Sequence, residues 1–79
     1  MIKPGKYQHY KGAFYKVIGM VKHSETLEDL VLYQKLYDDY GMWVRPAGMF
    51  AEKVEIEGRL VARFAFISDS PDNEGVGRP

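Results

Sequence analysis

Cysteine is absent from this 79-residue chain. Its absence excludes disulfides and thiolate zinc sites, two common supports for a domain too short to build a large core. It also fits a reducing compartment, and a cytoplasmic location is expected on that ground. No apolar run approaches the ~20 residues a helix needs to cross a bilayer, so no membrane span is expected. The opening MIKPGKYQHY lacks an apolar h-region, and no signal peptide is expected either. Charge of one sign is missing as well: 11 Lys and Arg balance 11 Asp and Glu. A balanced chain has no dominant electrostatic hold on nucleic acid, although its basic side chains can still cluster locally. Histidine is scarce, and two of them supply at most part of a metal site.

Aromatic residues are plentiful. Tyr 6, Phe 4 and Trp 1 are many large side chains for this length, and their buried area must do much of the stabilising. The length fits one domain. Pro4-Gly5 is an entry signal, and Tyr10-Lys11-Gly12-Ala13-Phe14 reads as a hairpin, with Gly12 supplying a positive φ. Phe14 to Val21 reads as a strand apolar on both faces: Phe14, Ile18 and Met20 on one, Tyr15, Val17 and Val21 on the other. Gly19 within it predicts a bulge or bend.

Residues 22–29 interrupt the strands. Thr26 and Asp29 match a minimal capping box, so this stretch is expected to be a loop with at most one helical turn. Leu30 to Tyr37 has some helix-like spacing, but its Tyr and Val content favours a strand. Its faces are Leu30, Leu32, Gln34 and Leu36 against Val31, Tyr33, Lys35 and Tyr37. Asp38 to Gly41 is a turn. Met42 to Arg45 is a short strand stopped by Pro46, and residues 47–50 read as a connection or 3₁₀ turn. Residues 52–57 alternate, with Val54 and Ile56 inward. Leu60 to Ile67 returns as one strand with Leu60, Ala62, Phe64 and Phe66 on one face. Residues 68–79 are nearly devoid of apolar side chains and are expected to be a disordered polar tail. The domain is therefore placed at 1–67. Five to six short strands predict an all-β domain, and at this size a small barrel is the economical form, because closure removes unpaired edges.

The segments GKYQHYKG, HSETLE, LVLYQKLY, WVRP, MFAEKV and ARF occur in the order of a small bacterial family, the domain of unknown function 1653 family. The resemblance runs from Gly5 to Ile67, and HSET and WVRP with the tyrosine-rich strand between them make it specific. It implies an SH3-like barrel. It implies no activity and no cofactor, and no catalytic residue carries over from it.

Three groups of residues are chemically distinctive. His23, Ser24 and Glu25 are residue types of acid–base or nucleophilic catalysis, but neighbours in sequence rarely converge on one reacting atom. A plainer role is local: Ser24 and Thr26 bonding loop N–H groups while His23 anchors the loop. His9 and His23 with Glu25 have the stoichiometry of a two-His-one-carboxylate metal site, but their spacing matches no metal motif. Trp43 and Arg45 alternate and therefore project to one side of their strand. With Tyr33, and Tyr37 or Tyr15 nearby, they would form an aromatic groove holding a cation; equally, Trp43 could fill the core with Arg45 stacked on an aromatic ring or paired to Glu25 or Asp38. The function expected first is a non-enzymatic binding module. It would use His23, Ser24, Glu25, Thr26, Tyr33, Trp43 and Arg45 to hold a peptide, a protein, a small molecule or, less favoured by the neutral charge, nucleic acid. The alternatives are a small hydrolase or metal-assisted enzyme using His23 and Glu25, and a subunit-interface protein.

Overall fold

The hairpin that opens the domain is built around its glycine. Gly12 has φ 112°, and His9 and Gly12 close the turn through His9 N–H to Ala13 C=O (2.8 Å) and Gly12 N–H to His9 C=O (2.7 Å). The computed structural model describes residues 2–69. In chain order it contains β1 (Gly5–His9), β2 (Phe14–Lys22), β3 (Asp29–Lys35), β4 (Met42–Pro46), a single helical turn α1 (Ala47–Phe50), β5 (Lys53–Ile56), β6 (Arg59–Ala62) and β7 (Phe64–Ser68).

The protein is all-β, as the patterning predicts. Five strands form one antiparallel sheet in the order β4-β3-β2-β1-β7, and β5 and β6 form a separate hairpin. Among the described residues no ladder joins the two outer strands, β4 and β7. The bulge expected at Gly19 is present: the β2–β3 register slips between Val17 and Gly19, which pair with the adjacent Tyr33 and Leu32. Val17 before it is buried, whereas Ile18, Met20 and Val21 after it are each more than a third exposed. The strand is thus doubly apolar in sequence but buries one half.

Several strand assignments need correction, and the strand expected from Leu30 to Tyr37 ends at Lys35. The expected single strand from Leu60 to Ile67 breaks at Arg63, because its halves pair with different partners, β6 with β5 and β7 with β1. Arg63 fastens the junction: its N–H donates to Glu52 C=O (3.0 Å), its C=O accepts from Tyr10 N–H (3.0 Å), and its guanidinium pairs with Glu52 (3.1 Å). Ile56, expected inward, and Leu60, expected to share a face with Phe64 and Phe66, lie on the hairpin at 40% and 71% exposure. The two-stranded hairpin is narrow, and alternation there sorts side chains without burying them. The expected tail begins one residue too early, since Ser68 belongs to β7. From residue 70 onward that expectation lies outside the described residues.

The core gathers Tyr7, Val17, Val31, Tyr33, Phe50 and Phe64 on one face of the large sheet. Phe50 reaches it from α1. Four residues cannot hold a helix by propensity alone, so tertiary packing must fix this turn. Phe50 supplies that packing: it is 1% exposed, stacks on Phe64 with ring centroids 4.2 Å apart, and meets Tyr7 edge-on at 5.4 Å. Its neighbour Met49 is half exposed and takes no part in that packing. Gly5 closes the β1–β7 contact, where a Cβ would lie 2.5 Å from the Ser68 carbonyl oxygen.

Candidate functional site

The core face continues outward to the β4 edge, and there it becomes a groove. Period-2 alternation puts Tyr15, Val17, Val31, Tyr33, Lys35, Trp43 and Arg45 on one face. Register then sets Tyr15 beside Lys35 and Tyr33 beside Trp43. Valines at the middle of the face are covered. Tyrosines and cations towards its end line an open groove of about 310 Å³, formed by Tyr15, Tyr33, Lys35, Tyr37, Trp43 and Arg45.

The groove is held by its own polar atoms. The Tyr15 and Tyr37 hydroxyls are 2.8 Å apart and share a hydrogen bond. Burial, then that bond, push the Tyr15 phenol up to about 12, so it stays protonated at neutral pH. Lys35 ties the rim to the β3–β4 turn through Asp39 (3.2 Å) and Asp38 (3.7 Å). The hydrogen bond to Asp39 raises the lysine, and the hydrogen bond to Lys35 lowers Asp39. Asp39 Oδ1 also accepts from Gly41 N–H (3.0 Å), which shapes the turn.

Arg45 differs from Lys35. Its Nε donates to the Tyr33 hydroxyl (3.4 Å), and its guanidinium lies 5.6 Å from the Phe64 ring centroid. Among the described residues no carboxylate pairs with it. Trp43 is 55% exposed, so it does not fill the core. The structure thus divides the two sequence alternatives: Arg45 stacks on an aromatic ring, and Trp43 stands open to solvent beside it.

The His23–Thr26 loop lies elsewhere. It joins β2 to β3 at the end where Lys22 pairs with Asp29, whereas Tyr15 and Lys35 occupy the opposite end of that ladder. None of His23, Ser24, Glu25 or Thr26 lines the groove. His23 Nδ1 accepts the N–H groups of Glu25 (3.1 Å) and Thr26 (3.3 Å), and Thr26 Oγ1 accepts that of Glu28 (3.2 Å). These are turn-forming bonds. Ser24 and Glu25 are exposed. His9 sits in the first hairpin, at the other end of β2 from His23. Among the described residues no three of His, Cys, Asp or Glu gather as a metal site.

Lys35 is the groove residue that the sequence reading does not single out. Its alternation with Tyr33 and Tyr37 was the available signal. A second, more apolar hollow of about 410 Å³ lies between the first hairpin and β5–β6, with His9, Tyr10, Ile56 and Val61 on its walls. Contact between distant strands creates it, and no local pattern marks it.

The sequence model of a family described as a protein of unknown function (DUF1653) matches residues 5–66. A solved structure is also similar: the crystal structure of a protein belonging to DUF1653 from Bordetella bronchiseptica. It is 35% identical, with 84% of this chain and 87% of that chain covered and a TM-score of 0.77. No curated protein matches. Among the described residues no helix is long and apolar enough to cross a membrane.

Proposed function

This chain belongs to the DUF1653 family, whose description names no activity, and we propose from the groove itself that it is a non-enzymatic binding module for a planar, anionic ligand. The observation that carries this reading is Arg45. It is a guanidinium without a carboxylate partner among the described residues, at the wall of a tyrosine-lined groove and next to an exposed tryptophan. Such a cation favours a phosphate or carboxylate. The indole of Trp43 offers a stacking face that tolerates any flat ring. Tyr15, Tyr33 and Tyr37 supply hydroxyls for orientation. Tyr15, held protonated, is poorly suited to act as a base at neutral pH. On this reading His23 and Thr26 shape their loop and do not touch the ligand.

The test is a ¹H–¹⁵N spectrum of the labelled full chain, titrated separately with adenosine monophosphate, a short oligothymidylate and Zn²⁺. Shifts should fall on the Trp43 indole and the Arg45 Nε with one of the first two, and the pair separates a free nucleotide from a strand. Arg45→Ala and Trp43→Ala should each abolish those shifts while the rest of the spectrum keeps its dispersion. Shifts confined to His23–Thr26 with Zn²⁺ would transfer the reading to the metal-assisted alternative. No groove shift with either anionic probe would overturn it.

A further inference from the structure

β4 forms one edge of the large sheet, and its register shows what that edge offers. Pairs of β3 and β4 include Tyr33 with Trp43 and Val31 with Arg45. Lys35 N–H donates to Gly41 C=O (2.9 Å) in the same register, so this is a hydrogen-bonded pair. Such pairs recur at every second residue of an antiparallel ladder. The backbone groups of Trp43 and Arg45 therefore point inward to β3. Those of Met42, Val44 and Pro46 point outward, and the missing N–H of Pro46 falls on the outer side, where no β3 bond is lost. Among the described residues no strand pairs with this edge. Met42, Trp43 and Val44 are consecutive, apolar, and 56%, 55% and 52% exposed. An exposed apolar edge of this kind is an association site.

We propose that β4 pairs with β4 of a second copy of this chain, antiparallel about a two-fold axis at Val44. The pattern is self-complementary about that residue. Val44 N–H and C=O bond reciprocally to Val44 of the partner subunit, and each Met42 N–H meets the C=O of Pro46 of the partner subunit. Trp43 then lies directly opposite Arg45 of the partner subunit, and Arg45 opposite the partner's Trp43. Directly opposed residues have Cβ atoms ~4.5–5.5 Å apart, so each indole lies against the aliphatic stem of the opposed Arg45, whose guanidinium keeps its place over Phe64 and beside Tyr33. Centring the axis on Trp43 instead stacks two indoles and leaves each Arg45 facing Gly41. The balanced charge of 11 against 11 sets up no net repulsion between copies. The interface is isologous, as a two-fold dimer requires. It brings both grooves to one face of a continuous sheet, so each gains Trp43 and Arg45 of the partner subunit along its rim. This pairing goes beyond the ligand reading and needs no ligand.

Sedimentation equilibrium of the full chain tests it. The average mass should rise from that of one chain toward two across the micromolar range. Val44→Lys and Val44→Glu each oppose like charges across the axis and should weaken the dimer at least tenfold, and an equimolar mixture of the two should restore it. The natural chain has no cysteine, so Val44→Cys gives a second readout independent of the charge variants. Oxidation should cross-link it efficiently, while Leu60→Cys on the exposed hairpin should stay reduced under the same conditions. A monomer throughout the range overturns the proposal. So does a dimer indifferent to Val44→Lys, a mixture that fails to re-form, or cross-linking of Val44→Cys no faster than of Leu60→Cys. Because no ligand is present, failure here leaves the titration result standing, and the reverse holds.

Discussion

Phe50 is the largest fully buried side chain among the described residues, and replacing it should show its weight in the core quantitatively. It is 1% exposed, stacked on Phe64 at 4.2 Å and flanked by Tyr7 and Tyr33 at 5.4 and 5.7 Å. The surrounding rings sit on strands whose positions are fixed by their ladders, so the site has little freedom to collapse around a gap. Phe50→Ala should therefore cost ~3–5 kcal/mol, the range for an aromatic ring removed from a close-packed core. A 79-residue domain is stable by roughly 4–12 kcal/mol in total, so this change removes a large share. With a urea slope of about 1.5 kcal/mol/M, the midpoint falls by about 2–3 M. Phe50→Leu keeps most of the burial and loses the ring stack, and should cost about 1–2 kcal/mol. Met49→Ala, on the same helical turn but half exposed, should stay within about 0.5 kcal/mol. Urea unfolding followed by far-ultraviolet circular dichroism measures all three. A cost below about 1 kcal/mol for Phe50→Ala, or one equal to that of Met49→Ala, would refute the assignment of α1 as the plug of the core.

Gly5→Ala should cost about 1–3 kcal/mol, because φ is 141° and the new Cβ meets the Ser68 carbonyl at 2.5 Å; an unchanged melting temperature would show that the β1–β7 contact yields easily. Leu27→Asn should stabilise by about 1 kcal/mol, since Leu27 holds φ 64° at 67% exposure and Asn tolerates that region; chemical unfolding gives the sign directly. His9 is held below its ordinary value of about 6.5, first by burial and then by repulsion from Arg63, Lys11 and Arg45. The unfolded chain thus takes up this proton at a higher pH than the folded one. Stability from this group is complete above about pH 6.5 and is lost as the pH falls from there to the lowered folded value. His9→Asn should flatten the stability profile in that window, and an unchanged slope would remove His9 as its cause.

Local chemistry was legible wherever a short stretch settles its own conformation. The Gly12 hairpin, the bulge at Gly19, the Asp38–Gly41 turn and most of the strand expected at 30–37, which is observed as Asp29–Lys35, all follow from residues within a few positions of one another. The groove was legible in part. Alternation alone put Trp43 with Arg45 and Tyr33 with Lys35 and Tyr37. Joining these sets required the β3–β4 register, which brings Tyr33 against Trp43. The break at Arg63 was not legible, because nothing within residues 60–67 says that one half will pair with β5 and the other with β1. The loop at His23 attracted a chemical reading through its residue types, yet its bonds are to its own backbone.

The sequence by itself determined an all-β chain without disulfides, the positions of its turns, and the family to which it belongs. The strands and turns depend on backbone preferences and side-chain period, and the family on short motifs such as HSET and WVRP; all of these are local. Tertiary structure alone decided which of the doubly apolar strand residues are buried, that Phe50 and not Met49 closes the core, and that Trp43 faces solvent while Arg45 lies over Phe64. Those outcomes depend on which strands become neighbours. That is a competition among long-range pairings for one shared core, and no single segment carries its result.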